Sequence, residues 1–436
     1  MKVAIRSALS IAVLTATAAS SAQANHEQFI DDSSLNIHLR NYTKQDSNYN
    51  QGQPHNVARQ WAQAIRADFQ SGYFANVIGF DLSAHHVIRA DARGNTDLVD
   101  PGLLQRRPNG GAESYGKSFG AIKFNLADYG VFKYGRMVLD TPLVNSEDEF
   151  SLPGSVEGYY ADVVLGDARI YAAHLLRINQ PGESGYDRFL DDNNRNSQLN
   201  LIGSDYRTEN AGMRIAYGRQ EDQASSLYTD VDYTIPVSDL TAVTLGAQYG
   251  QNSSVGNAKT TDQTDGLNTT LRWYGLKAGV DYGNMSFALS FVDIGGGARN
   301  GWADANVDWR NKGGNDDIEF QGYNSVLISD FSRANEQSIQ AKVGYDLSDM
   351  IPGLDVAALY VRGDVDASAV AVLGATTRAL DTSEYNLHVN YAVPALEGLK
   401  LSLAHGAYEV KASGLANASN TQKDTRIIAS YDLVAF

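Results

Sequence analysis

Apolar and polar residues alternate with a period of two through most of this chain, in runs of about ten residues. In 385–393, Leu387 and Val389 share one face of an extended strand, while Asn386 and His388 share the other. The clearest segments of this kind are 35–40, 227–235, 285–291, 339–346 and 385–393. Helical periodicity does not persist anywhere. A strand that is apolar on one side and polar on the other covers a protein core or forms the wall of a membrane barrel.

The lengths of the connections between these predicted strands distinguish a membrane barrel from a sheet that covers a protein core. Short turns are predicted at 127–130, 166–167, 236–239, 282–284, 348–353 and 394–398. Longer polar loops are predicted at 43–58, 91–117, 139–157, 178–198, 219–226, 251–266, 295–335, 365–381 and 411–422. Long loops that alternate with short turns are typical of bacterial outer-membrane barrels, and here they imply about 18 strands. We therefore predict an all-β, transmembrane antiparallel barrel with short periplasmic turns and long external loops.

The N-terminus predicts export. Residues 1–24 begin with Lys2 and Arg6, continue with an apolar stretch at 8–14, and end in the small residues Ala22 and Ala24. This is the layout of a cleaved secretory signal, and the stretch is too short and too rich in Ser and Thr for a membrane anchor. We expect one barrel domain at 25–436, in the outer membrane of a Gram-negative bacterium.

Composition agrees with this class. The chain has no cysteine, so disulfides cannot stabilise it. The mean hydropathy of −0.32 would indicate a soluble protein, but a barrel escapes such a scan because only every second residue faces lipid. Without residues 1–24 the chain has 33 basic and 51 acidic residues, which argues against a nucleic-acid partner.

A barrel of this width encloses water, so passage of solutes is the expected activity. The third long loop, 139–157, is acidic and is the predicted constriction loop, with an ordinary surface loop as the alternative. Its acidic candidates are Asp140, Glu147, Asp148 and Glu149. Basic residues at predicted lumenal positions are Arg40, Arg66, Lys123, Lys133, Arg214, Arg272 and Lys342. Each alone is an ordinary water-facing residue, whereas the set would form a basic wall opposite the acidic loop and orient polar solutes.

Several segments resemble the OprD-type outer-membrane porins, a family that includes substrate-specific channels and chitoporins. They are FIDDSSLNIHLRNY (29–42), RQWAQAIRADFQSGYF (59–74), GFDLSAH (79–85), SYGKSFGAIKFNLADYGVFKYGRM (114–137), QSIQAKVGYDL (337–347), IPGLDVAALYVRGD (351–364) and RIIASYDLVAF (426–436). The resemblance implies an 18-strand barrel with an infolded third loop through which small nutrients diffuse.

The chain departs from the family in its arginines. Members that resemble carboxylate channels carry a ladder of lumenal arginines, with an Arg-x-Arg pair in the next-to-last strand and an Arg in the third loop. The corresponding stretches here, 399–405 and 150–153, contain no Arg, and only Arg59 and Arg426 match ladder positions. Bidentate arginines replace the hydration of a carboxylate better than scattered lysines do. The missing arginines therefore weaken the prediction of anionic substrates, whereas the prediction of the fold does not depend on them.

Three classes of small polar solute therefore stay open: amino acids or peptides, carboxylates, and oligosaccharides. The acidic third loop favours a basic amino acid or peptide channel. A chitoporin-like channel would bind sugars on aromatic faces, and its candidates are Tyr159, Tyr160, Trp273 and Tyr274. Aromatic residues at strand ends more often form the girdle at the membrane surface, where outer-membrane lipid and lipopolysaccharide are the expected partners. The sequence leaves a monomer or a trimer open.

The sequence offers no catalytic, cofactor or metal assignment. It contains no Gly-x-Ser-x-Gly elbow and no His-Glu-x-x-His motif, although a structural or enzymatic barrel remains an alternative. His85 and His86 lack a third ligand at a suitable spacing. The acidic cluster Asp316, Asp317 and Glu319 either holds a divalent cation that bridges lipopolysaccharide or is a solvated external loop.

Overall fold

The structure is a computed structural model. It describes residues 26–50, 55–94, 100–107, 111–127, 129–146, 148–258, 270–295, 304–307, 309–313, 320–366, 379–412 and 419–436. After a short helix, α1 (His26–Asp31), the first strands are β1 (Ser34–Asn50), β2 (Asn56–Gln70), β3 (Ile78–Arg93), β4 (Ser114–Asn125), β5 (Gly130–Met137), β6 (Ser155–Leu165), β7 (Ala168–Asn179), β8 (Asp187–Arg188) and β9 (Leu199–Arg207). The remaining strands are β10 (Ala211–Gln220), β11 (Ala224–Ser238), β12 (Thr241–Ser254), β13 (Thr270–Tyr282), β14 (Met285–Ile294), β15 (Glu336–Asp346), β16 (Leu354–Val365), β17 (Leu380–Ala392), β18 (Leu399–Ala412) and β19 (Ser419–Val434).

The strands close into one antiparallel barrel. Each long strand pairs with its neighbours in chain order, and β9 pairs with β7 across the two-residue β8. The first strand, β1, pairs with β2 on one side and with β19 on the other, from Asn36 opposite Val434 to Asn50 opposite Asn420. Closure leaves no free sheet edge, which a spanning sheet in lipid requires. The predicted barrel of 18 strands is confirmed, with β8 as a small addition within the fourth long loop.

The strands alternate between a lipid side and a lumen side. On β13, Tyr274 and Leu276 are exposed outward, whereas Trp273 is covered on the inner side. Outward Tyr274 and Tyr282 lie at the two ends of an apolar stretch of this strand. Apolar bands between aromatic girdles are what the bilayer requires of an outer-membrane barrel. Among the described residues, no helix is long and apolar enough to cross a membrane.

The connections alternate as predicted, but several predicted loops are shorter in the structure, the first and the fifth among them. The first loop is only 51–55, because β1 extends to Asn50 and pairs with β19 to its end. The fifth loop is only 221–223. Residues 43–50 are mostly polar on both faces of the strand, so their sequence does not alternate between apolar and polar. Their backbone nevertheless pairs with the neighbouring strands.

The described parts of two long loops, the third (138–154) and the seventh (295–335), fold into the barrel. Leu143 of the third loop and Trp309 of the seventh belong to one buried apolar cluster with Tyr228 and Trp273 of the wall. Phe331 of the seventh loop packs in another cluster with wall residues of β16 and β18. The infolded third loop was predicted, and the infolded seventh loop was not.

Candidate functional site

The middle of the third loop is held against the inner wall by two arginines. Arg40 on β1 donates from Nη1 to the main-chain oxygens of Asp148 (2.9 Å) and Phe150 (2.6 Å), and its Nη2 lies 3.0 Å from Asp148 Oδ2. Arg66 on β2 lies 2.6 Å from Asp148 Oδ1 and donates to the main-chain oxygen of Ser151 at 3.0 Å. Charge-assisted hydrogen bonds of this kind fix both position and orientation. The two predicted basic residues therefore anchor the loop.

Two guanidinium groups favour the ionised form of the Asp148 carboxyl. Burial alone would raise its pKa, but the neighbouring Arg40 and Arg66 guanidinium groups outweigh burial and hold the pKa below its ordinary value. Its side chain is 45 % exposed, whereas those of Arg40 and Arg66 are 9 % and 8 % exposed. A carboxylate thus faces the water, with its cations behind it.

Arg426 on β19 joins the two infolded loops. Its Nη1 lies 2.5 Å from Glu149 Oε2 in the third loop, and its Nη2 donates to the main-chain oxygen of Leu327 in the seventh loop at 2.8 Å. Its Nε donates to Asp424 Oδ2, also at 2.8 Å. The Glu149 side chain is 47 % exposed, against 11 % for Arg426. Here too the carboxylate is the accessible partner.

Lys117 on β4 holds the end of the third loop, a role that the sequence did not reveal. Its Nζ donates to the main-chain oxygen of Pro153 at 2.8 Å, to the Asn179 side-chain oxygen, and to the main-chain oxygen of Gln180 at 3.3 Å. Lys117 is buried among these carbonyl groups. Lys117 shares its face of β4 with Tyr115 and Phe119, and nothing in the sequence identified its acceptors.

The beginning of the third loop is tied to the seventh loop. Trp309 Nε1 donates to the main-chain oxygen of Leu143 at 2.7 Å. The indole lies against Gly218 on β10, where an added Cβ would come within 2.9 Å of Trp309 Cζ2. Because Gly218 has no side chain, the Trp309 indole fits against the wall at this position. The third loop is thus fixed at its beginning, middle and end.

Four more of the predicted basic residues, Lys123, Lys133, Arg214 and Lys342, lie on the inner face of the wall. Lys123 and Lys133 share one carboxylate, Asp81, at 2.8 Å and 2.6 Å. Arg214 donates to the Tyr228 hydroxyl at 3.2 Å. Lys342 shares the inner face of β15 with the buried residues of that strand.

Arg59 and Arg272 are corrections, because both lie on the outer face. Arg59 lies on the Trp61 face of β2 and forms an ion pair with Asp91 at 2.7 Å. Arg272 lies on the Tyr274 face of β13 and donates to the Gln251 side chain at 2.9 Å. Arg59 is the first residue after the predicted loop 43–58, and it shares its face with Val57 and Trp61.

Arg272 was misplaced for a different reason. Its apolar neighbours Leu271 and Trp273 are buried inside the barrel, where Trp273 packs edge-on against Phe320 of the seventh loop with ring centroids 4.8 Å apart. The infolded loop creates an apolar patch on the lumen side. In the sequence, apolar residues at these positions therefore resemble the lipid side of a strand.

The acidic candidates of the third and seventh loops differ in where they lie. Asp148 and Glu149 lie in the lumen with the contacts given above, and Asp140 is exposed near the beginning of the loop. Glu147 and the cluster Asp316, Asp317 and Glu319 lie outside the described residues. The loop carboxylates contact the basic wall directly, which differs from the expectation that loop and wall face each other across the lumen.

A second charged region lies on the wall from β6 to β9. Arg169 is shared by Asp162 (2.9 Å) and Asp205 (3.0 Å), so two carboxylates face one guanidinium group. Arg169 also donates to the Tyr160 hydroxyl at 2.8 Å. Sequence reasoning missed this group, although all three charged residues lie at alternating strand positions.

The aromatic candidates for sugar binding point in opposite directions. Tyr159 and Tyr274 are exposed on the outer face, while Tyr160 and Trp273 face inward. Trp273 is only 4 % exposed. An aromatic face covered in this way offers no surface to a sugar ring.

His85 and His86 point to opposite sides of β3. His85 is buried on the inner face, with Nε2 2.9 Å from Asp68 Oδ1, and His86 is exposed on the outer face. In the part of the chain that the structure describes, no group of three or more His, Asp or Glu side chains is arranged to hold a metal ion.

A closed barrel with an apolar outer band, and with charged loops folded into its lumen, defines an outer-membrane channel. The family model described as "outer membrane porin, OprD family" matches residues 27–435 of this chain. The chain therefore belongs to the OprD family of outer-membrane porins. It is a porin through which small polar solutes diffuse passively, with preference among them.

Curated relatives are porins as well. The chain is 25 % identical to Porin D of Pseudomonas aeruginosa over 394 residues, which cover 85 % of this chain and 84 % of that protein. It is 25 % identical to the porin-like protein GalP of Pseudomonas putida over 248 residues, which cover 54 % and 59 %.

Solved structures share the fold. Pseudomonas aeruginosa OpdK, solved with vanillate, has a TM-score of 0.74 at 21 % identity and covers 93 % of this chain and 100 % of its own. A BenF-like porin from Pseudomonas fluorescens Pf-5 has a TM-score of 0.75 at 19 % identity, with the same coverage.

Proposed function

We propose that this porin prefers cationic and zwitterionic solutes, of the size of basic amino acids and small peptides, over anionic ones. The observation that carries the proposal is the unequal exposure of the paired charges at the third loop. Diffusion through the lumen, without a chemical reaction, is the whole of the proposed activity.

The arginines at the third loop are already occupied. Arg40, Arg66 and Arg426 donate to carboxylates and main-chain oxygens of the two infolded loops, and their side chains are almost entirely covered. Asp148 and Glu149 keep nearly half of their side-chain surface in the water. A passing solute therefore meets carboxylate oxygens first, and these attract ammonium and guanidinium groups.

The wall between β6 and β9 supports the same preference. Asp162 and Asp205 share Arg169, which leaves this group with one net negative charge. The Asp162 and Asp205 side chains are 18 % and 27 % exposed, about as much as that of Arg169 at 21 %. This region therefore favours cations through its net charge, and not through unequal exposure of its partners.

The two other substrate classes fit less well. A carboxylate such as vanillate, with which the relative OpdK was solved, needs accessible cations, and the arginines at the third loop are covered. An oligosaccharide needs accessible aromatic faces, but Trp273 is buried against Phe320 and Tyr228.

Liposome swelling with three solutes at matched osmolarity tests the proposal. We expect arginine to enter at least about twofold faster than benzoate, because fixed carboxylates concentrate cations and exclude anions. A chitooligosaccharide should enter more slowly than arginine. Liposomes without protein and liposomes with heat-denatured protein are the controls. Faster entry of benzoate than of arginine would show that the arginines are accessible to anions, and the proposal would be wrong.

A further inference from the structure

The seventh loop has a defined attachment point on the inner wall. Glu384 on β17 accepts hydrogen bonds from two consecutive main-chain N–H groups of the loop, Ile328 to Oε1 at 3.0 Å and Ser329 to Oε2 at 2.9 Å. The Asn386 side-chain nitrogen also donates to Oε1 at 2.7 Å. Both carboxylate oxygens are therefore used, and two of their three partners belong to the backbone of the loop.

The burial of Glu384 makes these hydrogen bonds necessary. Glu384 is only 1 % exposed, and no Lys or Arg among the described residues forms an ion pair with it. A buried carboxyl group is costly unless hydrogen bonds replace its lost hydration. The main-chain amides of the loop supply that replacement, so the wall and the loop depend on each other here.

The neighbouring loop residue, Leu327, is bound at both of its main-chain groups. Its N–H donates to Asn386 Oδ1 at 3.3 Å, and its carbonyl oxygen accepts from Arg426 Nη2 at 2.8 Å. Three successive residues of the loop, 327–329, thus have their main-chain groups bound by side chains of the wall. Such binding does not depend on which side chains the loop carries.

A glycine on the next strand makes room for the same segment. A Cβ added at Gly406 on β18 would lie 2.6 Å from Asn386 Nδ2, 3.1 Å from Leu327 Cδ2 and 3.3 Å from Ile328 Cδ1. A side chain at 406 would displace the Asn386 amide and would press on the Leu327 and Ile328 side chains. Since Asn386 Nδ2 also donates to Glu384 Oε1, this steric effect acts on the same attachment point of the loop.

We propose that Glu384, Asn386 and Gly406 form a seat for the loop segment 327–329, and that this seat sets the width and the solute selectivity of the channel. Arg426 binds Leu327 and Glu149 at the same time, so displacement of the segment also disturbs the carboxylates of the third loop. Glu384 is a positioning residue in this scheme. The proposal rests on porin activity but does not depend on the preference for cations.

The first test is single-channel conductance of the full chain in a planar bilayer. Glu384→Ala removes both acceptors, so the segment leaves its seat and conductance rises by about 1.5-fold or more. The matched control is His388→Ala, which removes a larger side chain from the same inner face of β17, four residues further on. If conductance only followed the volume removed, the control would rise at least as much.

The second test measures the position of the segment directly. Since the chain has no cysteine, Leu327→Cys provides a single thiol for a water-soluble maleimide. Adding Glu384→Ala should speed labelling by about tenfold or more, because two hydrogen bonds to a carboxylate are lost. Adding Gly406→Val should have the same effect by steric displacement, and adding His388→Ala should have none.

Heat-modifiable mobility in gels shows that each variant has folded. If Glu384→Ala does not fold, Glu384→Gln keeps the volume and one acceptor, and should give an intermediate increase in conductance and labelling. Folded Glu384→Ala with unchanged conductance and unchanged labelling would overturn the proposal, as would equal effects of His388→Ala. The proposed function is tested separately, by the preference of the unmodified protein for cations over anions.

Discussion

At the scale of single residues, an arginine in a pore either binds the protein's own loop or binds a solute. Arg40, Arg66 and Arg426 were all predicted to line the pore, and each binds an infolded loop. The sequence predicted the inward direction of these side chains from the strand period. It could not predict their partners, because the contacts join residues that are far apart in the sequence, such as Arg66 and Ser151 or Arg426 and Glu149.

The paired arginines give Asp148 a testable pH dependence. Burial raises the pKa of its carboxyl, but Arg40 and Arg66 outweigh burial, and the pKa lies below the ordinary 3.8. A carboxyl with a lowered pKa is charged above that value and loses its charge as the pH falls through it. The contribution of Asp148 to cation preference should therefore be constant from about pH 8 to about pH 5, and should disappear only below about pH 4.

The measurement is the difference in reversal potential between the unmodified protein and Asp148→Asn, taken over that pH range. In an Arg66→Gln background the same difference should disappear at a higher pH, since one of the two stabilising cations is gone. A difference that vanishes near neutral pH in the unmodified protein would contradict the ion pairs described for Asp148.

At the scale of strands and loops, the period of two predicted the strand segments that contact lipid. It did not predict the segments in which neither face of the strand contacts lipid. Residues 43–50 belong to a paired strand, yet both of their faces are polar, so the sequence indicated a loop. The opposite error arose at Trp273, whose apolar side chain is covered by the seventh loop inside the barrel. Infolding of that loop depends on Glu384 and on Gly406, two single residues that no local pattern marks.

The two faces of β14 should respond differently to one charge. Leu289 is 59 % exposed on the lipid side and lies opposite Ala278, midway between the outward Tyr274 and Tyr282 of β13. Leu289→Arg should lower the free energy of unfolding by about 2–4 kcal/mol, the cost of a cation at the bilayer midplane. Ala288→Arg places the same side chain in the lumen and should cost less than half as much.

Chemical denaturation of both variants, refolded into lipid vesicles, measures this difference. Equal losses of stability in Leu289→Arg and Ala288→Arg would mean that the outer face of β14 does not contact lipid there.

At the scale of the whole molecule, the barrel supplies the width of the channel and the two infolded loops supply its chemistry. The strand pattern and the family resemblance predicted the barrel and the third loop correctly. Substrate preference was left open by the sequence, because it depends on which partner of each ion pair reaches the water. In the structure, Asp148 and Glu149 are the accessible partners.

The reversal potential in a salt gradient tests this central claim most directly. The unmodified protein in a planar bilayer under a potassium chloride gradient should be cation-selective. The double variant Asp148→Asn with Glu149→Gln should shift the potential toward zero or toward chloride, because the arginines lose their counterions. Asp239→Asn, an exposed carboxylate in a short turn, is the control and should leave the potential unchanged. An anion-selective unmodified protein, or a double variant with an unchanged potential, would contradict the account.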